Sequence, residues 1–379
     1  MYTNIGKMKI LPQNQNQKSI LRRIFKLKKI LTIVLVIMLA FALGACNGGG
    51  TTPPPAPPAN GDEENGTVDA GETFHIVAAH SHNEALSVHN FFVYFEEEIT
   101  NLSNGRITMD IFPAGQVGGD ADVTTGVQAG DFTMMGANIN PHANFIQDLA
   151  VFDIQFIHTD LDQARRVLND PELLAHVRQL YEENGFHFLA FTDSSFRYIT
   201  ANFPIRTPQD LDGLTIRASA NVFHVANWQA LNANPTPLPI GEVYVALQQG
   251  VVDAQDNPIE HNRFFGFYEQ QTHFMETNHL YHVNTFVMNP AFYNSLPADL
   301  QSAVDQAAAN AARRTQESHD RQLQANIDYL TDAGITFEHF TAADLAPFMA
   351  LVQSAWAEVE DAVSADTYRI FMEAVDRSR

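Results

Sequence analysis

The chain has 379 residues, of which 45% are hydrophobic, and a formal net charge of −22 at pH 7. This length and apolar content suffice for two domains with buried cores. Eight of the 22 Lys/Arg lie in the first 45 residues, so the rest of the chain sets 14 arginines against 44 Asp/Glu. Such an acidic surface lacks the basic patch that contacts phosphates, so we expect no nucleic-acid partner.

The first 45 residues have the pattern of an export signal. They carry the eight basic residues, no Asp/Glu, and an uncharged apolar run at residues 30–43, which is shorter than the ~20 residues of a membrane-spanning helix. The run is followed by Gly-Ala-Cys, which resembles a bacterial lipobox. We therefore expect Cys46, the only cysteine, to carry a lipid that anchors the protein to the membrane. An ordinary free thiol is the alternative. Residues 46–72 are rich in Gly and Pro and then acidic, as in a disordered tether.

From residue 73 onward, apolar periodicity predicts alternating strands and helices. In chain order, the predicted elements are strand 74–79, helix 92–102, strand 107–111, helix 120–129, strand 132–137, helices 161–169 and 171–184, strands 186–191 and 198–200, a helix start at 207–208, strand 214–217, and helices 221–231, 242–249 and 297–331. This alternation is typical of an α/β fold, in which helices flank the sheets. The last predicted helix is unusually long for a globular protein.

One arginine stands at the end of a predicted strand. Residues 214–218 read LTIRA, so Arg217 lies where an apolar strand gives way to small polar residues. A buried arginine needs a counter-charge, and open α/β sheets place ligands at the carboxyl ends of their strands. The planar guanidinium can hold a carboxylate by two parallel hydrogen bonds. We therefore expect the partner of Arg217 to be a carboxylate that comes from outside the protein.

Two further polar residues have structural interpretations beside functional ones. Arg197, in SSFRYIT, lies next to another predicted strand, and a surface ion pair is its alternative role. Asn257 precedes Pro258 and Glu260, a spacing close to a capping box at a helix start. The two roles of Asn257 are compatible, because a helix N-terminus that faces a cleft is itself an anion site.

No catalytic or cofactor motif is present. His80, His82 and His89 cluster near the start of the folded part, but their spacing matches a metal site only partly and HExxH is absent. Nucleophile elbows, phosphate loops and dinucleotide fingerprints are also missing. We therefore expect a protein that is not an enzyme and that binds no metal or cofactor.

Longer segments resemble a known family. The stretches GRITMDIFPAGQVGGDADVTTGVQAGDFTMM, FRYITANFPIRTPQDLDGLTIRASAN, NPTPLPIGEVYVALQQGVVDAQDNP and TNHLY are similar to the substrate-binding proteins of TRAP (tripartite ATP-independent periplasmic) transporters, over about residues 73–379. The resemblance implies a two-lobed periplasmic-binding-protein fold of α/β type, with hinged lobes and a long helix that spans them. It implies a first lobe at 73–194 plus 283–322 and a second at 195–282 plus 323–379.

The resemblance also implies the roles of site residues. Arg217 would grip the substrate carboxylate, Arg197 would assist, and Asn257 would supply an amide to the ligand. In addition, the loop from Gln116 to Asp120 matches a ligand-facing loop less closely.

The remaining candidates are less closely matched. Asn138 follows a strand in a position that often faces ligand, and His80–Asn83 would lie on a loop near the cleft. Ile240 stands where the family often has an aromatic residue, and Ala254 replaces a glycine. No specificity for sialic or aromatic acids is therefore inferred.

The expected function is capture of a small organic acid outside the cytoplasmic membrane and its delivery to TRAP permease subunits. Three alternatives stay open: a sensor subunit that presents its ligand to a membrane receptor kinase, an exported metal-dependent hydrolase that uses the His80 cluster, and an adhesive lipoprotein.

Overall fold

The computed structural model describes residues 71–379. The predicted signal, Cys46 and nearly all of the predicted tether lie outside this range. Among the described residues, no helix has both the length and the apolar character to cross a membrane.

The described chain forms eleven strands and eleven α-helices between Gly71 and Arg379. The strands are β1 (Phe74–Ala79), β2 (Ile107–Phe112), β3 (Met134–Asn138), β4 (His187–Phe196), β5 (Tyr198–Ala201), β6 (Thr215–Ala218), β7 (Asn234–Pro237), β8 (Gln255–Asn257), β9 (His273–Glu276), β10 (Tyr281–Met288) and β11 (Thr336–His339). The helices are α1 (Ser87–Leu102), α2 (Asp120–Ala129), α3 (Leu161–Leu168), α4 (Pro171–Glu183), α5 (Val222–Ala230), α6 (Val243–Gln248), α7 (Ile259–Phe264), α8 (Pro290–Ser295), α9 (Ala298–Asp332), α10 (Ala342–Ala362) and α11 (Ala365–Arg377).

The first sheet has five strands in the order β2-β1-β3-β10-β4. Strand β1 pairs parallel with β2 and β3, whereas β10 runs antiparallel between β3 and β4. All eight residues of β10 are buried, as expected for a central strand covered on both faces. A late segment of the chain thus completes a sheet that the early segments begin.

Two apolar cores cover the two faces of this sheet. On one face, phenylalanines of α1 and alanines of the first half of α9 pack against β10; Phe91 stacks on Phe286 with 3.6 Å between ring centroids. On the other face, Val177 and Tyr181 of α4 pack with Phe371 of α11. Burial of these aromatic rings contributes about 1.5–3 kcal/mol per side chain, so the two cores stabilise the sheet from both faces.

The second lobe is built on a four-stranded sheet, β11-β9-β5-β8, and a two-stranded sheet, β6-β7. A bridge between Ile216 and Ala254 joins the two sheets edge to edge. Ile216, Trp228 and Phe348 lie in the core beneath them. These sheets flanked by helices confirm the predicted α/β class.

The chain crosses between the sheets at several points. Strand β4 of the first sheet is followed after one residue, Arg197, by β5 of the second, and β9 leads back to β10. Helix α9, about 52 Å long at 1.5 Å per residue, packs its first half on the first sheet and buries Leu330 in a cluster with Tyr198 and Phe274 of the second. It corresponds to the long helix predicted at 297–331.

One boundary of the predicted lobes needs a correction. Helix α11 was expected in the second lobe, within 323–379. Its buried residues Ile370, Phe371 and Val375 instead join the first-lobe core with Leu173 and Val177, because its apolar face matches that of α4.

Candidate functional site

A cavity of about 210 Å³ has walls from both lobes. The residues that line it come from the loop after β1, the start of α2, the segment after β3, the β4–β5 crossing, the ends of β6, β7 and β8, and α7 and β10. They are His82, Gly119, Asp120, Ala121, Asp122, Asn138, Pro141, Asn144, Phe145, Arg197, Arg217, Ser219, Ala220, Leu238, Pro239, Ile240, Asn257, His261 and His282.

Arg217 lies in this wall and forms no ion pair with any carboxylate of residues 71–379. Parallel pairing of β6 with β7 sets Arg217 opposite Thr236, so its guanidinium reaches the chain just beyond β7. There Nε and Nη2 donate to the Leu238 carbonyl at 3.0 and 2.7 Å. Among residues 71–379, Nη1 has no hydrogen-bond partner and no carboxylate oxygen lies within 4 Å of the guanidinium.

The charge of Arg217 is therefore poorly compensated. Its side chain is buried, with 4% of the residue exposed. Burial, and then the neighbouring charge of Arg197, lower the pKa of Arg217 to about 10. A buried cation in this state favours an incoming anion, because the anion restores the interactions that burial removed.

Arg197 lines the same cavity but already has a carboxylate. Its Nε donates to Asp256 Oδ2 at 2.5 Å, its Nη2 donates to the Asp256 carbonyl at 2.5 Å, and its Nη1 donates to His282 Nδ1 at 2.9 Å. Burial alone would raise the pKa of Asp256, but the charge of Arg197 holds it well below its usual range. The alternative of a surface ion pair is wrong, because both residues are fully buried.

Asn257 lines the cavity from the end of β8, not from a capping box. Its Nδ2 donates to Gln255 Oε1 at 2.6 Å, and Pro258 occupies the N-cap position of α7 without a side-chain cap. Glu260 turns away from the helix start to accept from Ser87 Oγ at 2.6 Å and Ser194 Oγ at 2.6 Å. The capping-box expectation is therefore wrong, and an amide oxygen of Asn257 is left at the cavity.

Three other predicted residues also line the cavity. Asp120, at the start of α2, accepts from Ser81 Oγ at 2.5 Å through one carboxylate oxygen. Asn138 ends β3, where its Nδ2 donates to the Val283 carbonyl at 2.9 Å. Ile240 is half-buried beside Leu238 and adds an apolar wall.

Two predicted residues do not reach the cavity. Gln116 is exposed on the turn after Pro113, where Ala114 and Gly115 both have positive φ angles, and it does not line the cavity. His80 points into the first-lobe core: it stacks on Phe92 at 5.1 Å, and its Nε2 lies 3.1 Å from His89 Nδ1. Burial lowers the pKa of His80 to about 2.

Of three histidines in the cavity, two were not predicted, and the third lies in the loop at residues 80–83 that was expected near the cleft. His82 lies on the loop after β1, His261 on α7 and His282 on β10, and each is at most 2% exposed. Only His82 had a local signal, since it follows a strand end. No three His, Cys, Asp or Glu side chains among residues 71–379 are grouped as metal ligands.

The family model described as "DctP: Bacterial extracellular solute-binding protein, family 7" matches residues 78–362. The chain belongs to this family. Every residue that lines the cavity of this family 7 solute-binding protein falls within the matched range.

Several relatives cover most of the folded part. A solute-binding protein of Roseobacter denitrificans is 31% identical over 278 residues, which are 73% of this chain and 84% of the relative. The C4-dicarboxylate-binding periplasmic protein DctP of Rhodobacter capsulatus is 29% identical over 279 residues, 72% of this chain and 82% of the relative.

Solved structures agree with the two-lobed fold of this family 7 protein. A TRAP periplasmic solute-binding protein of Roseobacter denitrificans with bound β-D-glucuronate has a TM-score of 0.75 at 25% identity and covers 79% of this chain and 98% of its own. A sugar-acid-binding protein of Advenella mimigardefordensis, at 22% identity, has a TM-score of 0.78 and covers 81% and 99% of the two chains.

Proposed function

We propose that this protein is the extracytoplasmic solute-binding subunit of a TRAP transporter and that it captures a small organic acid. The observation that carries the proposal is Arg217, a buried cation in a cavity wall without a carboxylate partner among the described residues. The ligand carboxylate would accept from Nη1 and from the outer N–H of Nη2. Asn257 would orient the ligand, and Arg197 would hold the cavity wall together through Asp256.

The relatives support an acid as the ligand. The Rhodobacter capsulatus relative is named as a C4-dicarboxylate-binding protein, and the Roseobacter denitrificans structure holds β-D-glucuronate. Both compounds carry a carboxylate, for which the fork of arginine is matched in shape. The cavity of about 210 Å³ suits a small molecule.

Capture and release would use the two lobes as hinged bodies. The segments that cross between the sheets are the β4–β5 step, the β9–β10 step and α9. Closure over the ligand would shield the carboxylate from water and strengthen its hydrogen bonds. The closed protein would then deliver the acid to the permease subunits in the membrane.

Anchoring at the outer face of the cytoplasmic membrane, or in the periplasm, is part of the proposal. The Leu-Gly-Ala-Cys sequence and the Gly/Pro-rich tether after it support a lipid on Cys46. A single acyl chain binds membranes only marginally, so stable anchoring takes more than one chain. Expression of Cys46→Ala should move the protein from the membrane fraction to the soluble exported fraction, and retention of the variant in membranes would contradict the anchor.

The binding proposal is tested by calorimetry and thermal-shift measurements with a panel of small organic acids. Removing a buried charge partner typically costs about 3–5 kcal/mol, so Arg217→Ala should weaken the best acid by roughly 200- to 5,000-fold. Arg206→Ala is a matched control, since Arg206 is exposed and pairs with Glu338 on the second lobe. If Arg217→Ala binds that acid as tightly as the Arg206→Ala control does, Arg217 is not the carboxylate anchor.

A further inference from the structure

Three imidazole rings form a cluster on one side of the cavity. The ring centroids of His82 and His261 are 5.6 Å apart with the planes at 87°, and those of His261 and His282 are 4.8 Å apart. All three residues line the cavity and are buried. We call them the histidine cluster. The carboxylate anchor at Arg217 does not use them.

The ring nitrogens of this cluster are largely without protein partners. Arg197 can only donate, so its 2.9 Å contact makes His282 Nδ1 an acceptor and leaves the proton of the neutral ring on Nε2. That Nε2 is buried with no hydrogen-bond partner among residues 71–379.

The rings of His82 and His261 also contain buried nitrogens without hydrogen-bond partners. His82 Nδ1 and both nitrogens of His261 are buried and lack hydrogen-bond partners among the described residues. The nearest carboxylate to His261 is that of Glu260, with Oε1 at 3.8 Å from Nδ1. Buried polar atoms are normally paired, so these nitrogens are unsatisfied in the protein without ligand.

The protonation state of the three rings determines which ligand groups they can bind. Burial lowers the pKa of His261 to about 3, and it also lowers those of His82 and His282. Neutral imidazole offers one donor and one acceptor. A hydroxyl group also donates and accepts, so it can pair with either nitrogen.

A second carboxylate would fit less well. It can only accept, and it would be buried beside rings that carry no charge. Asp120 lies in the same wall and accepts from Ser81 through one oxygen; its carboxylate would repel a second ligand carboxylate but accept from a hydroxyl. The only described cations of the cavity are Arg217, which holds the first carboxylate, and Arg197, which Asp256 neutralises.

We propose that the ligand is a hydroxy acid with a single carboxylate, whose carboxylate meets Arg217 and whose hydroxyl groups hydrogen-bond to His82, His261 and His282. This inference rests on the proposed function and narrows it to one class of acid. It excludes simple dicarboxylates as the best ligands.

Calorimetry with two matched sets of acids tests the class. The six-carbon set is D-gluconate, adipate and hexanoate, and the four-carbon set is L-threonate, succinate and butanoate. In the set that binds more tightly, the hydroxy acid should bind at least tenfold more tightly than the diacid. A smaller ratio, or binding of none of the six acids, overturns this inference, whereas the proposed function falls only if the wider panel of organic acids also fails to bind.

A single substitution tests the cluster itself. His261→Phe removes two nitrogens that have no protein partner and keeps the ring, so the unliganded protein should have an unchanged or higher Tm. Affinity for the hydroxy acid should fall by about tenfold, while affinity for the matched acid without hydroxyls stays the same. His339→Phe is the control, because His339 is exposed on β11 outside the cavity wall.

If His261→Phe lowers the Tm of the unliganded protein and weakens acids with and without hydroxyls by the same factor, the ring acts in packing only.

Discussion

Arg197 and Arg217 line the same cavity and are both buried, but they differ in what compensates their charge. Arg197 is matched by Asp256 and by His282. Among residues 71–379, Arg217 is held only by one backbone carbonyl, that of Leu238. The first arginine is thus satisfied inside the protein, whereas the second keeps donors for something else. Burial of an arginine alone therefore does not distinguish a structural residue from a ligand anchor; the inventory of its partners does.

Strand pairing explains the difference. Antiparallel pairing of β5 with β8 sets Ile199 opposite Asp256, so the residue that precedes β5 lies beside that carboxylate. Arg217 instead lies on β6, whose neighbour β7 ends in Pro237 and continues through Leu238 without an acidic residue. The sheets therefore deliver a carboxylate to one arginine and only a carbonyl to the other.

The largest expected effect is on folding stability. Arg197→Met should lower the free energy of unfolding by about 3–5 kcal/mol, because the buried carboxylate of Asp256 loses its arginine and keeps only His279 Nε2 at 3.2 Å and His224 Nε2 at 3.3 Å as neighbours. Arg217→Met should leave the stability of the unliganded protein unchanged or raise it, because no internal ion pair is lost. Chemical denaturation of the two variants without ligand measures both effects.

A double variant checks the cause. Arg197→Met combined with Asp256→Asn should recover part of the lost stability, since the carboxylate charge is then removed as well. Equal destabilisation by Arg197→Met and Arg217→Met would remove the distinction between the two arginines.

The same distinction shows how far the sequence alone can lead. The position of Arg217 at the end of a strand was predicted. Most helix and strand positions up to residue 249 were also predicted within a few residues. These features depend on local periodicity, which the sequence displays directly. The pairing of Arg197 with Asp256 spans 59 positions and depends on the strand register, which no local pattern reveals.

The elements and residues that were not predicted also depend on contacts between distant parts of the chain. The short β8 and α7, and the fully buried β10, lack an amphipathic period that would mark them. His261 and His282 meet only when these elements pack. His80 and His82 are two residues apart on one loop, and the backbone after β1 alone decides that His82 faces the cavity while His80 faces Phe92.

Asp153 is a buried acid that can be compared with the two buried arginines. Asp153 is fully buried and accepts from Asn140 and Asn221, with no cation within 4 Å among residues 71–379. Burial raises the pKa of Asp153 to about 7. The folded state therefore holds a proton that the unfolded chain has lost between about pH 4 and pH 7, and stability should fall as pH rises through that window.

The size of this pH effect is at most about 4 kcal/mol, at ~1.4 kcal/mol per pKa unit. Denaturation curves at pH 5 and pH 8 should show the loss in the wild-type protein and a smaller loss in Asp153→Asn. Asp361→Asn, an exposed acid on α10, is the control and should behave like wild type. A wild-type pH profile identical to that of Asp153→Asn would show that Asp153 stays charged in the fold.

A smaller effect separates charge from geometry at Arg217. Arg217→Lys keeps the positive charge but loses the planar fork that donates two parallel hydrogen bonds to a carboxylate. Loss of one charge-assisted hydrogen bond costs about 1.5–3 kcal/mol, so affinity for the acid should fall by roughly 10- to 150-fold. Calorimetry on the wild type and the lysine variant gives the ratio. Wild-type affinity in Arg217→Lys would mean that a point charge suffices and that the fork has no role.

The smallest expected effect concerns the rate of capture and compares Arg217 with the acidic protein around it. The chain beyond residue 45 has 44 Asp/Glu against 14 arginines, and this surface repels an anion at long range. The Debye length falls from about 30 Å at 0.01 M salt to about 8 Å at 0.15 M, so salt silences the distant charges first and leaves Arg217 as the dominant local one. The association rate of the acid, followed by stopped-flow tryptophan fluorescence, should therefore rise roughly two- to threefold as salt is added over this range. An association rate that falls with added salt would instead mean that the local field of Arg217 already exceeds that of the whole surface at the cavity entrance.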